Sequence, residues 1–114
     1  MKRVHVSNSG EIRWLDEILS GRKVYEGRLA TKIQEWDLDV GKQLIFYDDY
    51  EIRVEVTDLK FYPNFVEAYH NLKSKLVPSE GQKWSDEKIR SFYHFYSDKD
   101  VKKCGVVAIG VRLV

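Results

Sequence analysis

The C-terminal segment constrains the fold of this chain more strongly than any other part of the sequence. Residues Val106–Val114 are apolar at both odd and even positions over their first half. Successive side chains of a β-strand point to opposite faces, so a strand of this composition is covered on both sides. We therefore expect Val106–Val114 to lie centrally in a sheet.

Three earlier segments predict the remaining strands. Lys23–Leu29 is rich in residues that favour an extended chain. Gln43–Tyr47 and Ile52–Thr57 flank the turn-forming pair Asp48-Asp49, and the second segment alternates apolar and polar side chains. These two segments are therefore expected to form a hairpin, which ends before Pro63 because proline has no amide hydrogen for a central ladder.

Apolar residues at spacings of three and four predict three helices. The first runs from about Glu11 to Ser20 and ends at Gly21, which suits a left-handed C-terminal cap. The second covers Asn64–Val77, with Asn64 as its N-cap. The third begins after its cap Ser85, and its inner face carries Ile89, Phe92 and Tyr96.

The predicted order is helix, strand, strand, strand, helix, helix, strand, with residues 30–40 and 78–83 as loops. The strands are too closely spaced for repeated β-helix-β crossovers. We therefore expect an α+β fold: a small mixed β-barrel flanked by about three helices. At 114 residues the chain is long enough for one core, so residues 1–114 are expected to form a single domain.

Composition excludes several classes of protein. Nineteen basic and eighteen acidic residues give a net charge of +1, so nucleic-acid binding would depend on a local patch. No apolar run is long enough to cross a bilayer, and a secretory hydrophobic region is absent. Cys104 is the only cysteine, which fits a reducing compartment, so we expect a cytoplasmic protein. Scattered histidines and missing phosphate and dinucleotide motifs predict neither a metal site nor a cofactor.

The segment Gly21–Arg28 is the strongest candidate for a binding site. Glu26 and Arg28 have the same parity in a predicted strand and therefore share a face, with Lys23 just upstream. A lysine provides a compact cation and an arginine a planar fork, and both grip phosphates or base edges. The alternative is a surface ion pair of little value beside a solvated lysine.

The aromatic run at residues 92–96 is a second candidate, because exposed rings stack on nucleic-acid bases. Phe92 shares the inner stripe of the third helix, which favours core packing over binding. Tyr96 is more open, since its hydroxyl needs a partner or a cleft. Trp36 either covers a pocket or packs on the barrel.

The segment Gly21–Arg28 resembles the Gly-x-Lys-x-x-Glu-x-Arg signature of the ASCH family in the PUA-like superfamily. The similarity covers nearly the whole chain, although Gly41-Lys42 stands where many relatives have Gly-Asp. The matching positions are Gly21, Lys23, Glu26, Arg28, Val40-Gly41 before the strand at Leu44, Tyr96 and Gly105–Ile109.

This resemblance implies a PUA-like barrel with a polar cleft that binds RNA or a nucleotide or nucleoside. The residues that the resemblance and the motif assign to binding are Gly21, Lys23, Glu26, Arg28 and Tyr96.

Two alternatives remain at this point. Some ASCH proteins are amidohydrolases that deacetylate acetylcytidine with a lysine, a threonine and a glutamate. Lys23 matches that lysine, but Glu26 replaces the threonine nucleophile, and Glu80 matches the glutamate only by position. If the chain is a hydrolase, Lys23 and Glu26 are its candidate catalytic residues, with Glu26 as general base. The other alternative is a non-catalytic protein-interaction domain.

Overall fold

The computed structural model describes residues 1–114 as one five-stranded sheet with five α-helices and a 3₁₀ turn. None of the helices is long and apolar enough to span a bilayer. The elements in chain order are β1 (Arg3–His5), α1 (Trp14–Leu19), β2 (Tyr25–Leu29), α2 (Lys32–Glu35), β3 (Gln43–Tyr47), β4 (Glu51–Tyr62), α3 (Phe65–Leu72), the 3₁₀ turn (Lys73–Lys75), α4 (Asp86–Phe92), α5 (Asp98–Cys104) and β5 (Val106–Leu113).

The strand order in the sheet is β1-β3-β4-β5-β2, with β1 parallel to β3 and all other neighbours antiparallel. The predicted central position of β5 is confirmed, because it pairs with both β4 and β2 and its first six residues are buried. The predicted hairpin is also confirmed as β3 and β4. The architecture is α+β, with a curled sheet that forms half of a barrel.

Apolar side chains cover both faces of this sheet. Val107, Ile109 and Val111 of β5 belong to a core cluster that also includes α1 and the buried residues of β1, β3 and β4. Val106 and Ala108 point the other way and pack under α3 and α4. This alternation explains why β5 is apolar at both parities. Trp14 contacts both clusters, since it lies where α1 meets the edge of the sheet.

The helix boundaries differ from the predicted ones where tertiary contacts compete with periodicity. Gly21 has a φ of +82°, which confirms the left-handed position after α1. The Asn64 side chain accepts a hydrogen bond from the Glu67 amide, which confirms the predicted cap of α3. However, α3 ends at Leu72, because Lys73 takes a φ of +54° and the chain turns into the 3₁₀ segment. The prediction that the helix continues to Val77 is therefore wrong.

Two further predictions are corrected. The structure has five α-helices rather than about three, because α2 lies in the predicted loop at residues 30–40 and α5 follows the aromatic run. Neither of these two helices has a buried residue, so an apolar stripe could not reveal them. In addition, α4 ends at Phe92, so Tyr96 lies outside the helix that was expected to carry it.

Candidate functional site

Lys23, Glu26 and Arg28, which we call the charged triad, are positioned by the passage from α1 into β2. After Gly21 the chain reverses, and the Val24 amide donates to the Lys75 carbonyl at 2.9 Å. In β2, Glu26 lies opposite Ile109 and Arg28 opposite Val107. Directly opposed residues of an antiparallel pair share a face, so both charged side chains lie on the concave face of the sheet.

Lys23 is fully buried at one end of the charged triad. Its ammonium donates to the Leu76 carbonyl oxygen, lies 3.6 Å from Glu26 Oε1 and stands 4.8 Å from the centre of the Trp14 ring. Burial lowers the pKa of Lys23 from 10.5 to about 8, although the Glu26 charge opposes that change. The alternative of a solvated lysine is therefore wrong.

Glu26 and Arg28 form a largely buried ion pair. Oε2 of Glu26 accepts from Arg28 Nε at 2.9 Å and from Nη2 at 2.7 Å, and the two side chains are 11% and 18% exposed. Burial lowers the pKa of Arg28, but the Glu26 carboxylate more than offsets this, so that pKa lies above its ordinary value. The alternative of a surface pair of little value is also wrong, since a buried pair is costly to break.

Arg28 also links the two edges of the curled sheet. Its Nη2 donates to the carbonyl oxygen of His5 in β1 at 2.8 Å, and its guanidinium lies 5.5 Å from the centre of the Trp36 ring. Trp36 packs against the core cluster of the concave face, as one of its two predicted roles required. The hydrogen bonds of Arg28 to Glu26 and His5 use Nε and Nη2, and the guanidinium also lies near the Tyr96 hydroxyl.

The glycine between Glu26 and Arg28 is a site residue that sequence reasoning missed. Gly27 lies on the opposite face of β2, and a Cβ atom there would stand 3.3 Å from Phe65 Cε1 and 3.4 Å from the Tyr93 hydroxyl. The missing side chain therefore lets these rings approach the backbone beside the charged triad. By contrast, Gly21 ends α1 and contacts nothing at the site.

Two tyrosines lie between the charged triad and the surface. Tyr93 stacks on Phe65 with ring centres 4.0 Å apart and planes 4° from parallel, and Tyr96 packs against the same ring at 5.1 Å. Burial and the nearby Glu26 charge raise the pKa of Tyr93 well above 10. Burial also raises the pKa of Tyr96, with the Arg28 charge opposing it. Both hydroxyls are therefore neutral at physiological pH and able to donate hydrogen bonds.

Tyr93 is the second residue that sequence reasoning missed. It lies just beyond the end of α4, and only its place in the aromatic run marked it. The prediction that Phe92 is a packing residue is confirmed, because its ring makes edge-to-face contacts with Trp14 and Trp84.

A surface groove of about 1020 Å³, which we call the aromatic groove, opens in front of these tyrosines. It runs between the start of α3 and the segment that joins α4 to α5. Its aromatic wall consists of Phe65, Tyr93 and Tyr96, and its polar rim includes Arg90, His94, Lys102, Glu67 and Asp98. Of the residues predicted for binding, Tyr96 lines the groove, whereas Gly21, Lys23, Glu26 and Arg28 do not. The charges of Glu26 and Arg28 act on the groove only through Tyr93 and Tyr96.

A separate groove of about 730 Å³ lies between α1 and the segment that leads into α4. Glu80 lines this second groove and pairs with Arg22 at 2.9 Å. Glu80 is highly exposed and makes no ion pair with Lys23 or Arg28. The structure therefore does not bring Glu80 to the charged triad. No three His, Cys, Asp or Glu side chains converge in a way that would hold a metal ion.

Comparison with known proteins identifies the fold and no activity. The curled sheet with its helices defines a small α+β protein of a type found in several solved structures. The chain is similar to hypothetical protein PH0355 (26% identity over the whole of both chains, TM-score 0.81) and to protein PF0455 from Pyrococcus furiosus (24% identity over 99% and 96% of the chains, TM-score 0.71). Protein EF3133 from Enterococcus faecalis V583 shares the fold at 9% identity, over 87% of this chain and 65% of that one, with a TM-score of 0.60. Neither a family model nor a curated protein matches the chain.

Proposed function

We propose that this chain is an ASCH-like protein with a PUA-like half-barrel that binds RNA or a nucleotide in the aromatic groove. One observation carries the proposal. The charged triad, built on Gly21-x-Lys23-x-x-Glu26-x-Arg28, lies behind the wall of an open groove, where the charges of Glu26 and Arg28 act on the hydroxyls of Tyr93 and Tyr96. A planar aromatic wall beside hydrogen-bond donors suits a nucleobase, which presents both a π-face and polar edges.

The groups at the groove divide the work of recognition. The neutral hydroxyls of Tyr93 and Tyr96 donate to a carbonyl or phosphate oxygen. The guanidinium of Arg28, near the Tyr96 hydroxyl, adds a charged donor, which makes a stronger hydrogen bond than a neutral one. Glu26 holds the guanidinium in place, since it accepts two of its N–H groups. Lys23 acts behind them as a buried support for Glu26.

The size and charge of the protein favour a short ligand. A net charge of +1 provides little long-range attraction for an extended polyanion. Local contacts to one or a few nucleotides do not depend on this long-range electrostatic attraction. The proposal is therefore limited to a nucleotide, a nucleoside or a short stretch of RNA.

Titration of the four nucleoside 5′-monophosphates and of short RNAs, followed by NMR chemical shifts, tests this proposal. Arg28→Ala is expected to weaken binding about 10- to 150-fold, the equivalent of a lost charged hydrogen bond. Arg112→Ala is the matched control, because Arg112 also pairs with a glutamate, Glu55, but on the exposed surface. Tyr96→Phe keeps the ring and removes one donor, so a loss of about 2- to 10-fold is expected.

Two results would contradict the binding proposal. One is the absence of saturable binding of any of these ligands by the folded wild-type protein. The other is equal loss of affinity in Arg28→Ala and Arg112→Ala, since that would indicate a general charge effect. If both tests fail, a non-catalytic protein-interaction domain becomes the better description.

The lowered pKa of Lys23 supports a second candidate, a hydrolase that acts on a modified nucleoside. An amine with a pKa of about 8 is partly neutral near physiological pH and is able to take up a proton. Against this, Lys23 has no exposed surface, and cations contact both oxygens of Glu26. Incubation with acetylated nucleosides decides between the two candidates. Product that disappears in Lys23→Met and Glu26→Gln would favour the hydrolase. Binding without product would favour the nucleotide-binding protein.

A further inference from the structure

Phe95, between two residues that line the aromatic groove, carries an exposed ring outside the core. Phe95 is 82% exposed, the highest value among the exposed large apolar residues. Covering such a ring with a partner's apolar or aromatic surface is favourable, because it removes apolar area from water. Its one aromatic neighbour is His94, whose ring centre is 4.1 Å away at an angle of 33°.

His94 holds the Phe95 ring at the edge of the groove. The Nδ1–H of His94 donates to the Ser91 carbonyl oxygen at 2.9 Å, which fixes the imidazole against the end of α4. His94 and Tyr96, the residues on either side of Phe95, both line the aromatic groove. Phe95 therefore stands directly outside the groove and one residue from its inner wall.

The segment around Phe95 also carries unpaired positive charge. Residues 90–104 contain the cations Arg90, Lys99, Lys102 and Lys103 against the two carboxylates Asp98 and Asp100. Both carboxylates lie in the first turn of α5, where they complement the helix dipole. None of the four cations forms an ion pair, whereas nearby Lys88 pairs with Glu11 at 2.7 Å.

We propose that the ligand of this protein is a single strand of at least two nucleotides, with one base in the aromatic groove and the next stacked on Phe95. Arg90 and Lys102, which line the groove rim, lie in position to meet the phosphate that joins the two nucleotides. A duplex is excluded as the ligand, since its bases are stacked on each other and do not present a free face to Phe95. This inference rests on the proposed binding function and defines its substrate class.

Binding of each nucleoside 5′-monophosphate is compared with that of the corresponding RNA homotetranucleotide, for wild type and three variants. We expect at least one tetranucleotide to bind more tightly than its monophosphate. Phe95→Ala should weaken tetranucleotide binding roughly 5- to 150-fold, the value of one stacked base, and leave monophosphate binding unchanged. Phe95→Trp should keep the wild-type affinity for the tetranucleotide, because a tryptophan ring also stacks on a base.

Phe61→Ala is the matched control, because Phe61 is another exposed phenylalanine, 62% accessible, that does not line the aromatic groove. It should bind tetranucleotides like wild type. Thermal melting checks the fold of each variant, and removal of a ring this exposed is not expected to lower the Tm.

The outcomes separate this inference from the binding function on which it rests. Monophosphate binding without any gain for the tetranucleotide overturns the single-strand inference and leaves the binding function intact. The single-strand inference is also overturned if Phe95→Ala still binds the tetranucleotide more tightly than the monophosphate. The same holds if Phe61→Ala weakens tetranucleotide binding as much as Phe95→Ala does. Absence of binding for every ligand overturns the binding function itself, and with it this inference.

Discussion

The buried ammonium of Lys23 makes a measurable prediction about stability and pH. The folded-state pKa of about 8 lies below the ordinary value of 10.5, because burial penalises the charged form. Between these two values the unfolded chain binds more protons at this position than the folded one. Stability therefore rises with pH across this interval, and the cost of the buried charge is fully present below about pH 8.

The size of the effect follows from the same shift. From pH 7 to pH 10, a single group with these two pKa values contributes about 2–3 kcal/mol of added stability. Raised tyrosine pKa values act in the opposite direction at high pH, since the unfolded tyrosines lose protons first. Comparison with a variant that lacks only the Lys23 amine removes those common contributions.

Lys23→Met keeps the length and apolar stem of the side chain and removes the charge. The free energy of unfolding, measured by urea titration at pH 7, 8, 9 and 10, should rise with pH by about 2–3 kcal/mol more in wild type than in the variant. Lys99→Met, on the exposed surface of α5, should behave like wild type. Trp14, 4.8 Å from the amine, provides a fluorescence signal for the same titration. Parallel pH curves for wild type and Lys23→Met would refute the reasoning.

Three further substitutions test the packing around the site. Glu26→Ala should lower the free energy of unfolding by about 3–5 kcal/mol at pH 7, because it leaves buried cations unpaired. The control Glu55→Ala, at an exposed pair, should lower it by about 0–1 kcal/mol. Similar losses for the two variants in urea unfolding would contradict the burial of the charged triad. Gly27→Ala should lower the free energy of unfolding by about 1–3 kcal/mol and therefore the Tm, since the new methyl group forces the rings of Phe65 and Tyr93 to shift. An unchanged Tm would show that these rings move aside without cost. Burial and Asp58 raise the pKa of Tyr25 to about 12, so ultraviolet titration of Asp58→Asn should show one tyrosine that ionises at lower pH than in wild type, and an unaltered curve would exclude Asp58 as a cause.

The sequence predicted those elements whose signals are local. The hairpin of β3 and β4 follows from alternation around a two-residue turn, and Asn64 caps α3 as its position required. The apolar composition of β5 at both parities predicted its central place. By contrast, β1 has three residues and pairs in parallel with β3, more than forty positions away in sequence. A strand so short has no periodic pattern, so its pairing could not be predicted.

Local spacing also predicted part of the candidate site. Lys23, Glu26 and Arg28 lie within six residues, so any extended chain keeps them close, and this spacing predicts a common site. Whether these charges are solvated or buried does not depend on that spacing. The predicted alternative of an exposed pair was wrong because distant residues, Leu76, Trp14 and the His5 carbonyl, cover or bind the charged groups.

What the sequence alone determined is therefore the elements with a local signal, such as the β3–β4 hairpin, β5 and α3, and the nearness of three charged residues along the chain, because hydrogen bonding and side-chain periodicity act over a few positions. The tertiary structure decided the burial of Lys23, the role of Gly27 and the meeting of Tyr93 and Tyr96 with β2. These features depend on contacts between residues about forty to seventy positions apart, and such contacts arise only when the sheet curls and the helices pack on it.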